Sequence, residues 1–164
     1  VGCGTGTSTV WLAAQGFDVL GIDVAPTAIE RAESKAAGVR GARFLHLDFL
    51  EQRVPGGPYD LVFDRGCFHV FDAAPDRARF AERVARVLAP AGSWVSLIGS
   101  TEGPPRDHGP PRRTARDIAD AIEPVLAIAE LRATAFDADG PSPLHAWFCV
   151  ARHRQVPAQP STAE

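Results

Sequence analysis

The sequence has 164 residues, 45% of them hydrophobic and 23% charged, with a formal net charge of -3. That length closes one real hydrophobic core, and the composition is ordinary for a soluble globular protein. The mild acidity gives no electrostatic case for binding nucleic acid or anionic membranes, and no apolar run approaches the ~18–20 residues of a transmembrane helix.

Taken in order, the chain alternates strand-like and helix-like segments, the pattern of a βαβ parallel sheet. Val1 reads as the stub of a first strand, followed by the turn Gly2-Cys3-Gly4-Thr5-Gly6. Because the chain opens on that turn and contains no Met, a preceding N-terminal region is expected to be missing. Thr7 to Gln15 is predicted helical, with Val10, Trp11 and Ala14 on one face and Gly16 as its stop. Phe17 to Ile22 is a short strand ending at Asp23. Pro26 opens a helix carrying Ile29, Ala32 and Ala36 at helical spacing, ended by Gly38.

Ala42 to Leu47 is the next strand, ending at Asp48, and a Pro/Gly loop leads to another at Tyr59 to Phe63. Pro75 opens a helix with Phe80, Val84, Val87 and Leu88 on one face, and Ala89-Pro90-Ala91-Gly92 breaks it before a strand at Ser93 to Gly99. A Pro/Gly-rich loop over residues 99–113 precedes Thr114 and Asp117, which read as a capping box. The helix they start ends at Pro124. Val125 to Phe136 and His145 to Arg152 are extended and predict an antiparallel hairpin at the sheet edge. Residues 1–153 form one domain on this reading, and the Pro/Gln/Ser/Thr-rich tail 154–164 is expected to be disordered. The three cysteines, Cys3, Cys67 and Cys149, lack metal or disulfide spacing, which fits reduced, buried thiols in a cytoplasm.

The strongest local signal is Gly2-x-Gly4-x-Gly6 between a strand and a helix. Glycine lets the backbone bend sharply and approach a ligand closely. A dinucleotide fingerprint would place its third glycine where Thr7 stands, whereas the closer spacing is associated with S-adenosylmethionine. Asp23 follows Gly4 by close to the roughly 20-residue interval that sets a carboxylate against ribose hydroxyls. That diol is common to NAD and S-adenosylmethionine, so Asp23 speaks for a nucleoside and not for a reaction; it also suits a helix cap before Pro26. Asp48 is a candidate acceptor for the adenine amine, with Val24 or Phe49 covering a ring face, or else a simple turn cap. The turn, Asp23 and Asp48 end three successive strands and share the carboxyl edge of the sheet, where open α/β folds bind ligands.

With those residues in hand, the sequence resembles class I S-adenosylmethionine-dependent methyltransferases. Val1 to Gly6 is similar to their motif I, Gly21-Ile22-Asp23 to the acidic site after it, Leu47-Asp48 to motif II, and Tyr59-Asp60-Leu61-Val62-Phe63-Asp64 to motif IV. The resemblance implies a Rossmann-like, seven-stranded, mostly parallel α/β sheet with a C-terminal antiparallel hairpin and a truncated first strand. It implies S-adenosylmethionine as cofactor, S-adenosylhomocysteine as product, and cofactor contacts from Gly2, Cys3, Gly4, Gly6, Asp23, Val24, Asp48, Phe49 and Asp64. Asp64-Arg65-Gly66 is similar to the thiopurine and thiol S-methyltransferase branch.

Methyl transfer asks a protein mainly for alignment and a dry site. A thiol acceptor needs a nearby cation more than a base, which makes Arg65 the candidate; an oxygen acceptor would want a base, and His69 is the nearest one. Arg65 equally suits an ion pair with Asp64 or Asp60, and His69 a structural role. Arg106, His108, Arg112 and Arg113 make the long loop basic, a possible border for an acidic or polar acceptor. The reading is of a small-molecule methyltransferase, favouring a thiol with oxygen or nitrogen open. An NAD(P)-dependent oxidoreductase and a non-catalytic nucleoside-binding domain stand as the alternatives.

Overall fold

In this computed structural model, residues 1–104, 109–136 and 144–155 are described. Helix α1 (Thr7–Ala14) leaves the glycine turn, and β1 (Val19–Asp23) follows it. Two helices carry proline in the first turn, where its missing N–H has no intrahelical partner to lose: α2 (Pro26–Lys35) and α3 (Ala74–Val87). Between them lie β2 (Ala42–His46), β3 (Tyr59–Arg65) and a single 3-10 turn at Phe68–Val70. Strand β4 (Leu88–Gly99), helix α4 (Ala115–Ile122), β5 (Ala127–Phe136) and β6 (Leu144–Arg152) complete the order.

The strands form two sheets. β1 and β2 pair in parallel, with Asp23 opposite His46; the second sheet runs β3-β4-β6-β5. β3 and β4 are parallel, and β6 pairs antiparallel with both neighbours, so the expected hairpin is present at the edge. Val1 to Cys3, the expected strand stub, is seated between the sheets: the Val1 nitrogen donates to the Phe63 carbonyl at 2.7 Å and the Cys3 N–H to Ile22 at 2.9 Å. A cleft of about 800 Å³ opens there, walled by Leu12, Leu20, Phe49 and Val62 among others. The expected turn at residues 137–143, Arg106 and His108 of the long loop, and tail residues 156–164 lie outside the described residues.

Two local expectations change. In α1 the buried line is Thr9 and Ala13, while Trp11 is 62% exposed. Closeness decides this: a side chain on Gly21 of β1 would meet the Thr9 hydroxyl at 2.9 Å, and one on Gly41 would lie 3.9 Å from Ala13. The helix approaches the strand on small residues, so hydrophobic periodicity points to the wrong face. The second change is at Leu88, expected on a helix face; it begins β4 directly after α3 and is buried there.

The core lies where α3 and α4 cover the larger sheet, around fully buried Phe80, Phe68, Trp94, Ile118 and Ile122. Thr114 and Asp117 form the capping box read from the sequence: the Thr114 hydroxyl accepts the Asp117 N–H at 3.0 Å, and Asp117 accepts the Thr114 N–H at 2.8 Å. The Thr114 side-chain hydrogen bond, then the backbone one, lower the Asp117 pKa. A group whose folded pKa is depressed stabilises fully above its unfolded value and loses that contribution as pH falls through the folded one. Thr114→Ala is therefore expected to cost about 1 kcal/mol at neutral pH. In urea unfolding, the gap to the wild type should narrow below the ordinary aspartate range; a gap constant with pH would count against the Asp117 contribution.

Candidate active site

The carboxyl ends of β1, β2 and β3 and the turn Gly2–Gly6 meet at one edge. Asp23 organises it. One carboxylate oxygen accepts the Gly4 N–H at 2.8 Å and the other accepts the Ala25 N–H at 2.9 Å. The turn and the start of α2 are thus pinned by the same carboxylate, so the capping reading and the binding reading coexist. Two amides leave part of an ionised carboxylate's acceptor capacity open to a diol.

The glycines divide their work. Gly6 has φ +79° and is buried; a Cβ there would sit 2.8 Å from the Ala32 Cβ, so this glycine serves helix packing. Gly4 has φ +52° and a Cβ there would meet nothing within 4 Å. Its backbone therefore borders open space beside Asp23, where a ligand can lie against the chain. Val24, next to Asp23, is 63% exposed and offers an apolar surface at the same edge.

At the end of β2, Asp48 caps a turn, accepting the Leu50 N–H at 2.9 Å and the Glu51 N–H at 3.3 Å through one oxygen. Phe49 corrects the expectation that its ring covers a cofactor. The ring is buried, edge-on to Phe80 at 4.9 Å, with the Arg83 guanidinium 5.8 Å from its centre. Among the described residues the Phe49 N–H has no acceptor, so the main chain is what this residue can offer a ligand.

Asp64 also departs from expectation. It is fully buried, accepts the Cys67 and Phe68 N–H groups at 3.2 and 3.0 Å, and accepts the Trp94 indole N–H at 2.9 Å. Its carboxylate is spent on holding the 3-10 turn to β4. It does not face the cleft, and the reading of Arg65 as its salt-bridge partner has no support. Burial, with Asp64 second, raises the Cys67 pKa to about 12; burial, with Asp23 second, raises that of Cys3 to about 11. Both thiols stay protonated at neutral pH, which fits packing and not nucleophilic chemistry.

Arg65 ends β3 with an exposed side chain whose guanidinium carbon lies 5.2 Å from the centre of the Phe136 ring. His69 is 3% exposed, and its Nδ1 accepts the Gly99 N–H at 2.6 Å. An imidazole that accepts at Nδ1 is neutral and carries its proton on Nε2, an assignment made from the bonding partner. A buried ring in that state is a donor and a spacer, so the general-base reading of His69 loses its geometric basis. In the long loop, Arg112 donates to the Pro104 carbonyl and Arg113 turns inward, donating to the Phe71 carbonyl at 2.9 Å and to Asp72 at 2.7 Å. Its backbone N–H donates to Gly99 at 2.7 Å and its carbonyl accepts the Trp147 indole. Arg113 therefore fastens the loop's exit to β4 and does not present a cation to a polar acceptor. Phe136, which reads in the sequence only as one more apolar strand position, is the ring that the Arg65 guanidinium lies against.

Comparison with known proteins bears on the family and the fold. The chain is 34% identical over 113 residues to a probable thiol methyltransferase 2 of Arabidopsis thaliana, an alignment covering 67% of this chain and 48% of that protein. The chain thus spans about half the length of that relative. Among solved structures, one from work on conversion of a disulfide bond into a thioacetal group during echinomycin biosynthesis superposes with a TM-score of 0.79 at 28% identity. It covers 93% of this chain and 74% of that one. The 1,6-didemethyltoxoflavin-N1-methyltransferase of Burkholderia thailandensis, solved with S-adenosylhomocysteine, shares the fold with a TM-score of 0.74 at 19% identity, covering 94% and 69%. The α/β sheet with its C-terminal hairpin is the class I methyltransferase fold of these neighbours. A family model described as a methyltransferase domain matches residues 1–92, more than half of the chain and the whole edge built by the glycine turn, Asp23, Asp48 and Arg65. The chain belongs to that methyltransferase-domain family.

Proposed function

We propose that the protein transfers the methyl group of S-adenosylmethionine to a small-molecule acceptor, with a thiol favoured over oxygen or nitrogen. The observation that carries the reading is the Asp23 carboxylate held 2.8 Å from the Gly4 amide, beside backbone that borders open space. A nucleoside diol suits that carboxylate, the Val24 side chain suits an apolar ring face, and Asp48 with the Phe49 N–H suits the polar edge of a purine. Gly2, Cys3 and Gly4 contribute backbone, since the Cys3 thiol is protonated and partly buried, and Gly6 holds the turn against α2. The cofactor, when bound, supplies an electrophilic methyl on a sulfonium. The chain's own work is then to align the acceptor and exclude water, with Arg65 raising the thiolate fraction of an acceptor held beside it. The thiol preference has support from the Asp64-Arg65-Gly66 sequence and from the name of the Arabidopsis relative.

The test is methyl transfer from labelled S-adenosylmethionine to thiols, phenols and amines. Turnover restricted to phenols or amines would refute the thiol preference. Binding of S-adenosylhomocysteine with no transfer to any acceptor would favour a non-catalytic binding domain. Arg65→Ala is expected to lower thiol turnover by roughly tenfold or more while cofactor affinity holds, because proximity and charge act only on the acceptor. Equal losses in turnover and affinity would make Arg65 structural.

A further inference from the structure

We infer that Phe136 is a positioning residue for methyl transfer: its ring fixes the Arg65 guanidinium over the acceptor side of the site. The inference rests on the role proposed for Arg65 and adds a residue to it. The two lie on strands separated by β4 and β6, yet the register puts them on one face. Arg65 stands opposite Leu97, Leu97 opposite Phe148, and Phe148 opposite Arg132. Phe136 lies four residues beyond Arg132 on β5, an even interval, so it projects to the same side. On the diagonal between the two, Gly99 and Ala146 are paired with each other and are small enough for a long side chain to pass over.

The ring is itself held. Phe136 is 9% exposed, with the Arg65 guanidinium carbon 5.2 Å from its centre and the His69 ring edge-on to it, centroids 6.0 Å apart at 79°. His69 is in turn fixed by the Gly99 N–H at its Nδ1. Gly66, with φ +85°, leaves room for that imidazole, since a Cβ there would lie 3.3 Å from His69 Nε2. Four segments thus converge on one exposed cation: the ends of β3, β4 and β5 and the 3-10 turn. A guanidinium on a flexible stem acts on a neighbour only from a set position, and contact with an aromatic face is one interaction that narrows that position. This assigns His69 a part too, as the support of the ring and not as a base.

A double-mutant cycle on methyl transfer to thiophenol tests this, with S-adenosylhomocysteine affinity measured alongside. Phe136→Leu is expected to lower kcat/KM by about three- to tenfold with unchanged cofactor affinity, and Phe136→Tyr to stay near the wild type. Arg65→Ala with Phe136→Leu should be no slower than Arg65→Ala alone. Losses that multiply, a tyrosine variant as slow as the leucine one, or a parallel fall in cofactor affinity would overturn the inference. If Arg65→Ala proves as fast as the wild type, or thiophenol is not methylated at all, the proposed role of Arg65 fails instead. The placement by Phe136 is then judged by NMR of the wild type, which needs no variant to fold. An upfield, ring-shifted Arg65 Nε–Hε proton with a nuclear Overhauser contact to Phe136 supports it, and absence of both overturns it.

Discussion

Replacing Asp23 by alanine is expected to weaken binding of S-adenosylhomocysteine by more than about tenfold in calorimetric titration. Tenfold corresponds to about 1.4 kcal/mol, and hydrogen bonds to a charged group are each worth about 1.5–3 kcal/mol. Removing the carboxylate takes away the acceptor proposed for the diol and, in the same stroke, the acceptors for the Gly4 and Ala25 amides. The turn loses its anchor as the ligand loses its partner, so the effect exceeds that of an isolated contact. Asp23→Asn separates the two contributions, because an amide oxygen can still hold one of the backbone donors while the charge is gone. An alanine variant that binds as tightly as the wild type would remove Asp23 from the site.

Phe80→Ala should cost about 3–5 kcal/mol of folding stability, the range for truncating a buried aromatic. Phe80 is fully buried and touches four other rings, with centroids 4.9 Å from Phe49, 5.8 Å from Phe68, 5.6 Å from Phe71 and 5.7 Å from Trp94. Edge-on and tilted pairs of this kind add to the area they bury. The cavity cannot collapse easily, because Trp94 is tied to Asp64 and Phe68 donates to the same carboxylate. For a chain of this size the loss corresponds to a fall in Tm of about 10 °C or more. A change of only a degree or two in thermal unfolding followed by circular dichroism would mean that this aromatic cluster is not the centre of the core.

The architecture is legible in the residues because each signal acts locally. Pro26 and Pro75 start helices, Thr114 and Asp117 cap one, and the final antiparallel hairpin and the parallel pairing before it are present. The described strands form a two-stranded and a four-stranded sheet where one seven-stranded sheet is expected. Expectation fails where close approach between elements outweighs hydrophobicity. Helix α1 turns Thr9 and Ala13 toward glycines and leaves Trp11 outside, which no periodicity of apolar residues reveals.

The site follows the same division. Strand-end positions of Asp23 and Asp48 are readable from spacing, but the direction of a side chain is not. Asp64 and Arg65 are neighbours at the end of β3; alternation along the strand sends one into the core and the other outward. Phe49 is lost to the core in the same way. The contacts of His69 with Gly99 and of Phe136 with Arg65 join residues distant in the chain, so sequence spacing holds no trace of them.

Calorimetric titration of the chain with S-adenosylhomocysteine, and separately with NAD⁺, distinguishes a methyltransferase cofactor site from a dinucleotide site. Saturable one-site binding of S-adenosylhomocysteine and none of NAD⁺ is the expected result. A flat S-adenosylhomocysteine trace from protein whose circular dichroism shows it folded, or saturable heat from NAD⁺ in its place, would contradict it.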